Sequence, residues 1–269
     1  QQQTKLFAYN DISSLERLLD AHPGQFACVV LEPAATAEPI DGFLQKVRTL
    51  CDKHSAVMVI DEMITGFRWH FKGAQYLYGV QPDISTFGKA MANGFSVACV
   101  GGRREIMNLG SIETEGAERV FLLSTTHGAE MAGMGAFVAT MDFMERHQVV
   151  EHLWSYGREL TTMMRRRAEA HGISHSFKVD GAECSPFYLT LDEHGKVSFP
   201  LRTLFSQEMI KVGVLMPWIA LSHKHGPAEL ARTEAAIDAA FAVYRKALED
   251  GVDQYLQGPV QKPVFRKYN

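Results

Sequence analysis

Residues 57–94 read VMVIDEMITGFRWHFKGAQYLYGVQPDISTFGKAMANG, and this stretch contains the strongest indications of the fold. It begins inside the apolar run Ala56–Ile60, which ends at an Asp-Glu pair. Upstream, Phe26–Leu31 is a second run of the same kind, and it ends at Glu32. Continuous apolar runs of this length are typical of strands in a sheet that is covered on both faces. The stretch therefore predicts an α/β fold with a mostly parallel sheet.

Helical patterns separate and follow these strands. Asp41–His54 carries apolar residues at helical spacing, and Asp41 is predicted to cap that helix. Ser96–Val100 is predicted as the third strand of the sheet. Longer helices are predicted over about Gly128–Arg146 and Val150–His171.

The chain changes character after residue 146. The predicted elements of this last part are two strands and then two helices, at Ser174–Val179, Cys184–Leu191, Leu201–Val212 and Pro227–Leu248. We therefore predict two domains, a large one that contains residues 1–146 and a smaller α+β domain at residues 147–269.

Composition argues against several classes of function. The formal net charge is -4, so the chain has no electrostatic footprint for nucleic acid or an anionic membrane. No apolar stretch approaches the roughly 18 residues of a membrane span, and the four cysteines form no C-x-x-C pair. His223 and His225 lack an accompanying cluster of cysteines or carboxylates, so no metal site is predicted. We expect a cytoplasmic protein.

Charged side chains stand where the predicted strands end. Glu32 and Asp61 each follow an apolar run, and Lys89 lies in the loop before the third predicted strand. Ligands of open α/β sheets bind at the carboxyl ends of the strands, so these residues can face one crevice. A lysine amine for a Schiff base and a carboxylate for the pyridine nitrogen are what pyridoxal phosphate requires. A surface lysine and a loop cap are the alternatives for each residue taken alone.

The same stretch resembles the signature of the class III pyridoxal-phosphate-dependent aminotransferases. The shared elements are an acid-acid-x-x-T-G-F-R segment, a G-A-Q, a P-D and a G-K lysine, and the likeness runs from Phe7 to the C-terminal helix. Within the family, the chain is most similar to glutamate-1-semialdehyde aminomutase-like enzymes. The resemblance implies a fold-type I PLP-transferase, with residues 1–146 as the C-terminal part of the cofactor-binding large domain. It also implies a homodimer with shared active sites, acting on a small-molecule amino donor and a carbonyl acceptor.

The resemblance also implies roles for individual residues. Lys89 corresponds to the Schiff-base lysine and proton carrier, and Asp61 corresponds to the acid that pairs with the pyridine nitrogen. Met63 stands where the family has an apolar residue against the ring, with a plain core residue as the alternative. Thr125 corresponds to a threonine that binds the phosphate of the neighbouring subunit's cofactor, with a helix N-cap as the alternative. Glu32 is included among the cofactor-binding residues because it ends the neighbouring strand.

The chain departs from the family pattern at several points. It reads STTHGAE at 124–130, where the family usually has G-T-x-S-G-N-P, and Ala34–Ala37 replaces a segment that contains an asparagine in the aminomutase. We therefore expect an aminotransferase that works by ping-pong transfer through an aldimine of Lys89, with an aminomutase as the alternative.

The family's phosphate-binding loop and ring-stacking aromatic have no counterpart in this sequence, which opens at Gln1. An N-terminal part of the family's fold is therefore expected to be absent. A truncated, non-catalytic scaffold is a further alternative, and the identity of the substrate stays open.

Overall fold

The computed structural model describes residues 3–34, 36–113, 115–116, 118–121 and 128–263. The chain divides into two compact units, Gln1–Val150 and Glu151–Asn269. This division falls after residue 150, whereas the sequence pattern placed a domain boundary after residue 146.

The first unit is built on a four-stranded sheet. Its strands, in spatial order, are β1 Cys28–Leu31, β2 Val57–Asp61, β3 Ile84–Phe87 and β4 Cys99–Gly102. β1 pairs with β2 and β2 pairs with β3 in parallel, while β3 and β4 are antiparallel. The prediction of an α/β fold with a mostly parallel sheet is confirmed.

β3 is a strand that the sequence pattern did not reveal. Its sequence, ISTF, contains two hydroxyl residues and no continuous apolar run. Ser85 is nevertheless buried, and its hydroxyl donates a hydrogen bond of 2.8 Å to Oε1 of Gln75, so its polar group is satisfied. The strand predicted third, Ser96–Val100, is the fourth strand of the sheet and lies later in the chain, at Cys99–Gly102.

Helices accompany the sheet on the same unit. They are α1 Ile12–Ala21, α2 Phe43–Lys53, α3 Ala74–Leu77, α4 Arg104–Met107 and α5 Met131–Arg146. α2 begins at Phe43, with Gly42 at its N-cap and no side-chain capping bond. The prediction that Asp41 caps this helix is wrong, because Asp41 and Gly42 both have positive φ angles, 50° and 69°, and the chain turns there before the helix starts.

One face of the sheet is covered by α1 and α2. The hydrophobic core on this face includes Leu15 and Leu19 of α1, Leu44 and Val47 of α2, and the strand residues Val29, Leu31, Met58 and Ile60. On the other face, Val30 is 55% exposed. All four residues of β4 are exposed, so this strand is uncovered on both faces. Among the described residues, the predicted cover on both faces is found on one face only, over β1 and β2.

The second unit packs helices with a small antiparallel sheet, and it begins within the first turn of α6. Its elements are α6 Val149–Ala170, β5 Phe177–Asp180, β6 Phe187–Thr190, α7 Phe199–Lys211 and α8 Pro227–Asp250. Aromatic side chains form its core, and the ring of Phe177 stacks on Tyr188 with 5.4 Å between centroids. The ends of these strands and helices differ by up to three residues from the predicted ones. In the part of the chain that the structure describes, no helix is both long and apolar enough to cross a membrane.

Candidate active site

The ends of three strands bring the predicted site residues to one edge of the sheet. Glu32 follows β1, Asp61 is the last residue of β2, and Lys89 lies two residues after β3. Leu31 pairs in register with Ile60, so Glu32 and Asp61 lie next to each other on strands about 4.8 Å apart. The structure thus brings together the two acids and the lysine.

Asp61 is held by one of its two carboxylate oxygens. Oδ1 accepts a hydrogen bond of 2.9 Å from the backbone N–H of Met63 and one of 3.0 Å from Oγ1 of Thr86. No residue in the described ranges donates a hydrogen bond to Oδ2. One oxygen is therefore fixed by the protein, and the other is open to a ligand that carries an N–H group.

Thr86 is a site residue that sequence reasoning missed. It is the register partner of Asp61 on β3, and its hydroxyl fixes the Asp61 carboxylate. The available signal was its position three residues before Lys89. Recognising the signal required knowing that ISTF is a strand, and its mixed polarity concealed this.

Met63 lies against the turn that carries Lys89. A Cβ atom placed on Gly88 would come within 2.9 Å of the Met63 sulfur, which is closer than real Cβ atoms approach. Gly88 therefore allows the thioether of Met63 to pack directly on the backbone before Lys89. The backbone N–H of Met63 also fixes Asp61, so Met63 connects the two predicted catalytic residues.

Lys89 has an unusual backbone conformation. It begins a short 3₁₀ turn, Lys89–Met91, and its φ angle is 45°. A residue other than glycine adopts this left-handed backbone conformation at a cost of about 1–2 kcal/mol. The Lys89 side chain is exposed, and it makes no hydrogen bond or ion pair with the described residues. Strained backbone conformations of this kind cluster at functional sites.

Glu32 has a carboxylate oxygen for which the described residues provide no hydrogen-bond partner. Its Oε2 atom is buried, and no described group donates to it. Burial raises the pKa of Glu32 above its ordinary value, the negative charge of Asp61 raises it further, and the positive charge of Lys89 opposes these effects. Next to it, the hydroxyl of Tyr9 donates a hydrogen bond of 2.6 Å to the carbonyl oxygen of Pro33. The side chain of Glu32 is thus the least satisfied acid at this edge.

Glu62 follows Asp61 in the chain but has a structural role. It is 1% exposed, and its carboxylate accepts hydrogen bonds from the backbone N–H groups of Ala74, at 3.0 Å, and Gln75, at 2.7 Å. The Thr65 hydroxyl is a third donor. These contacts hold the loop between β2 and α3. Glu62 therefore fixes the polypeptide that follows the site and is fully engaged in doing so.

Thr125 lies outside the described residues, so its predicted phosphate contact stays a prediction. The following helix, α5, begins at Met131 and has Glu130 in the N-cap position. The alternative in which Thr125 is the N-cap of that helix is therefore wrong.

Comparison with known proteins identifies the family. The sequence model of the family described as aminotransferase class-III matches residues 2–196. The chain is 32% identical over 251 residues to 3-aminobutyryl-CoA aminotransferase of Cloacimonas acidaminovorans (strain Evry), a match that covers 90% of this chain and 58% of that protein. The chain thus spans less than two thirds of the length of this curated relative.

Two solved transaminase-fold structures illustrate the similarity in fold. The FumI protein of a Sphingopyxis species, solved in its PLP internal aldimine form, is 24% identical and superposes with a TM-score of 0.81 over 91% of this chain and 58% of that one. An omega-transaminase from Sphaerobacter thermophilus is 23% identical, with a TM-score of 0.76 over 88% of this chain and 56% of that one. The predicted fold-type I architecture is thereby confirmed. The specific likeness to aminomutases stays a prediction.

Proposed function

We propose that this chain, which belongs to the class-III aminotransferase family, acts as a pyridoxal-phosphate-dependent aminotransferase. The observation that carries the proposal is the convergence of Glu32, Asp61 and Lys89 at the carboxyl edge of the parallel strands. An acid and a lysine at this edge are the two groups that the cofactor requires from the protein.

The residues of this edge fit pyridoxal phosphate. Oδ2 of Asp61 receives no hydrogen bond from the described residues, so it is available to the protonated ring nitrogen of the cofactor. The Lys89 amine has no ion-pair partner in the described ranges that would compete for it. Met63 provides a polarisable apolar surface between the two, suited to contact with a ring.

When bound, pyridoxal phosphate supplies a ring that accepts the electron pair released at the amine-bearing carbon of the substrate. Asp61 would favour this by providing a negative charge for the protonated ring nitrogen. Nζ of Lys89 would hold the cofactor and, as a free amine, would carry a proton to and from the amine-bearing carbon of the substrate. Thr86 and the backbone of Met63 keep the Asp61 carboxylate in one orientation.

The proposed reaction transfers an amino group from a small-molecule donor to an aldehyde or ketone acceptor by a ping-pong sequence. Thr125 is proposed to bind phosphate across a homodimer interface. Substrate screening begins with β-amino acid derivatives, because the 32% identical relative is named for 3-aminobutyryl-CoA. An aminomutase would instead convert a single aminoaldehyde without any separate amino donor, and assays with and without a donor distinguish the two reactions.

Borohydride reduction of the purified protein tests the proposal. We expect the treatment to fix the cofactor on the peptide that contains Lys89, as detected by mass spectrometry. Lys72 provides the matched control, because it is also an exposed lysine of the first unit, with its ammonium group over the Tyr76 ring. A cofactor adduct on Lys72 but not on Lys89, or no adduct after incubation with excess cofactor, would contradict the proposal.

A further inference from the structure

We infer that Glu32 and Asp61 form an acid pair that holds one proton between them, carried by Glu32, so that the pair has a single negative charge. Glu32 is then a positioning residue that acts on the cofactor through Asp61. The purpose of the single charge rests on the proposed function, because it matches the single positive charge of a protonated ring nitrogen. The existence of the proton rests on the geometry of the chain itself.

The strand register brings the two carboxyl groups together. Leu31 and Ile60 are register partners in parallel strands, and both side chains are buried in the same core. Since side chains alternate along a strand, the next residues, Glu32 and Asp61, both point toward the opposite face. Two ionised carboxylates on adjacent strands repel each other, and a proton on one of them removes that repulsion.

The hydrogen-bonding pattern assigns the proton to Glu32. Asp61 already accepts two hydrogen bonds at Oδ1, so this oxygen is an acceptor and does not carry the proton. Glu32 has a buried Oε2 atom that no described group donates to. An ionised carboxylate with a buried and unsatisfied oxygen is costly, whereas a protonated acid is a donor and needs only an acceptor. The open Oδ2 of Asp61 provides such an acceptor on the adjacent strand.

The surrounding groups act on Glu32 in opposing directions, and those that raise its pKa outweigh the one that lowers it. Asp61 from β2 opposes its ionisation, and Lys89, after β3, is the cation that favours it. From the N-terminal segment, the phenol of Tyr9 faces Glu32, and burial and the charge of Glu38 raise the pKa of Tyr9, so Tyr9 stays neutral. Burial is the largest of the influences on Glu32, and it raises the pKa of this residue.

Glu62 provides an internal comparison. It too stands at the end of a strand and is more deeply buried than Glu32, but three donors satisfy its two oxygens. A carboxylate with three donors is suited to carry a charge. The difference between the two glutamates therefore lies in the supply of donors and not in burial alone.

The test is the pH dependence of thermal unfolding of the cofactor-free protein, compared between wild type and Glu32→Gln. The amide of glutamine copies the neutral acid, since it donates and accepts but cannot ionise. If the pKa of Glu32 is higher in the folded than in the unfolded protein, protonated Glu32 stabilises the fold. This contribution to the free energy of unfolding is fully present below the pKa of the unfolded state, and it is lost as the pH rises through the pKa of the folded state. We therefore expect the two proteins to unfold at similar temperatures near pH 4.5 and E32Q to become progressively more stable than wild type toward pH 8. Glu16→Gln, at an exposed glutamate, is the matched control and should run parallel to wild type.

Infrared spectroscopy provides a measurement that does not depend on a folded variant. Wild-type protein labelled with carboxyl-¹³C glutamate should show a protonated carboxylic acid band near neutral pH that shifts with the label. Labelling aspartate instead should leave the band in place. Parallel pH curves for wild type and E32Q, or absence of the protonated glutamate band, would overturn the inference.

The outcomes separate this inference from the proposed function. If borohydride fixes no cofactor on Lys89 but the protonated glutamate is found, the acid pair exists and the proposed function fails. If the cofactor adduct forms and Glu32 is ionised, the function stands and the inference fails. For the loaded protein, E32Q should retain the visible absorption of the bound cofactor, with a pH profile flatter than that of wild type.

Discussion

Two acidic residues at opposite edges of the same sheet have opposite surroundings. Asp83 stands directly before β3, at the edge where the parallel strands begin, and it is 5% exposed. Its carboxylate accepts hydrogen bonds from the backbone N–H of Met58 at 2.7 Å, from Arg48 at 2.8 Å and from Arg103 at 3.1 Å. Asp61, at the edge where the strands end, accepts hydrogen bonds at Oδ1 from Met63 and Thr86 only, as far as the structure describes the chain.

The difference between these edges separates stability from function. The groups around Asp83 neutralise its charge and donate hydrogen bonds to both of its oxygens, so the carboxylate is not available to bind a ligand. Asp61 is oriented by Met63 and Thr86 but not neutralised, so its charge is available to a bound cation. Both residues are aspartates at ends of a parallel strand pair, and they differ in their partners and in their burial.

Asp61→Asn should have the largest effect on function. An asparagine keeps an oxygen to accept from Met63 and Thr86, so we expect the free energy of unfolding to change by less than about 1 kcal/mol. Amino-transfer activity should fall roughly 10²–10³-fold, the size expected for losing one preorganised electrostatic contact. Steady-state kinetics and urea unfolding measure the two quantities. A large loss of stability with unchanged activity would contradict the assignment of Asp61 to function and of Asp83 to stability.

Asp83→Asn should show the reciprocal pattern. It leaves the guanidinium of Arg48, whose side chain is 19% exposed, without its buried counter-ion, so we expect unfolding to become easier by about 3 kcal/mol. Activity per folded molecule should stay close to that of wild type. Asp52→Asn is the matched control, because Asp52 pairs with the same arginine but is 67% exposed. That variant should lose less than about 1 kcal/mol.

The smallest of the expected effects is the pH dependence of the stability that Asp83 provides. Burial by itself would raise the pKa of Asp83, but the hydrogen bond from Met58 and the two arginines outweigh it and lower the pKa below the ordinary value. The stabilisation is therefore present above the unfolded pKa, near 3.8, and lost as the pH falls through the lower folded value. Urea unfolding of wild type and D83N should differ most above about pH 5 and converge in stronger acid. A difference that grows in acid would contradict this assignment.

The sequence predicted the parts of the fold that carry an apolar signal. β1 and β2 are continuous apolar runs, and α6 and α8 are long periodic helices, so all four were found. β3 was missed because the burial of Ser85 depends on a hydrogen bond from its hydroxyl to Gln75, a tertiary contact that no local pattern contains. The cap of α2 was missed because Asp41 turns through positive φ, where a glycine follows it.

The site was predictable at the level of strand ends and not at the level of contacts. Glu32, Asp61 and Lys89 follow strands or lie beside them in the sequence, and parallel strands bring their carboxyl ends to one edge. Thr86 became visible only through its register with Asp61. The lack of a donor to Oε2 of Glu32 among the described residues likewise depends on the three-dimensional structure, because Glu62, a residue of the same type, accepts hydrogen bonds from three donors.

The φ angle of 45° at Lys89 has a consequence for protein engineering. Glycine, which adopts this conformation readily, relieves strain that lysine cannot avoid. A selection for thermal stability alone would therefore favour replacing Lys89 by glycine. Under the proposed function, the resulting protein would be more stable but catalytically inactive. Programmes that optimise this chain for durability should keep this position fixed, because here the sequence that suits the backbone and the sequence that suits the chemistry are different.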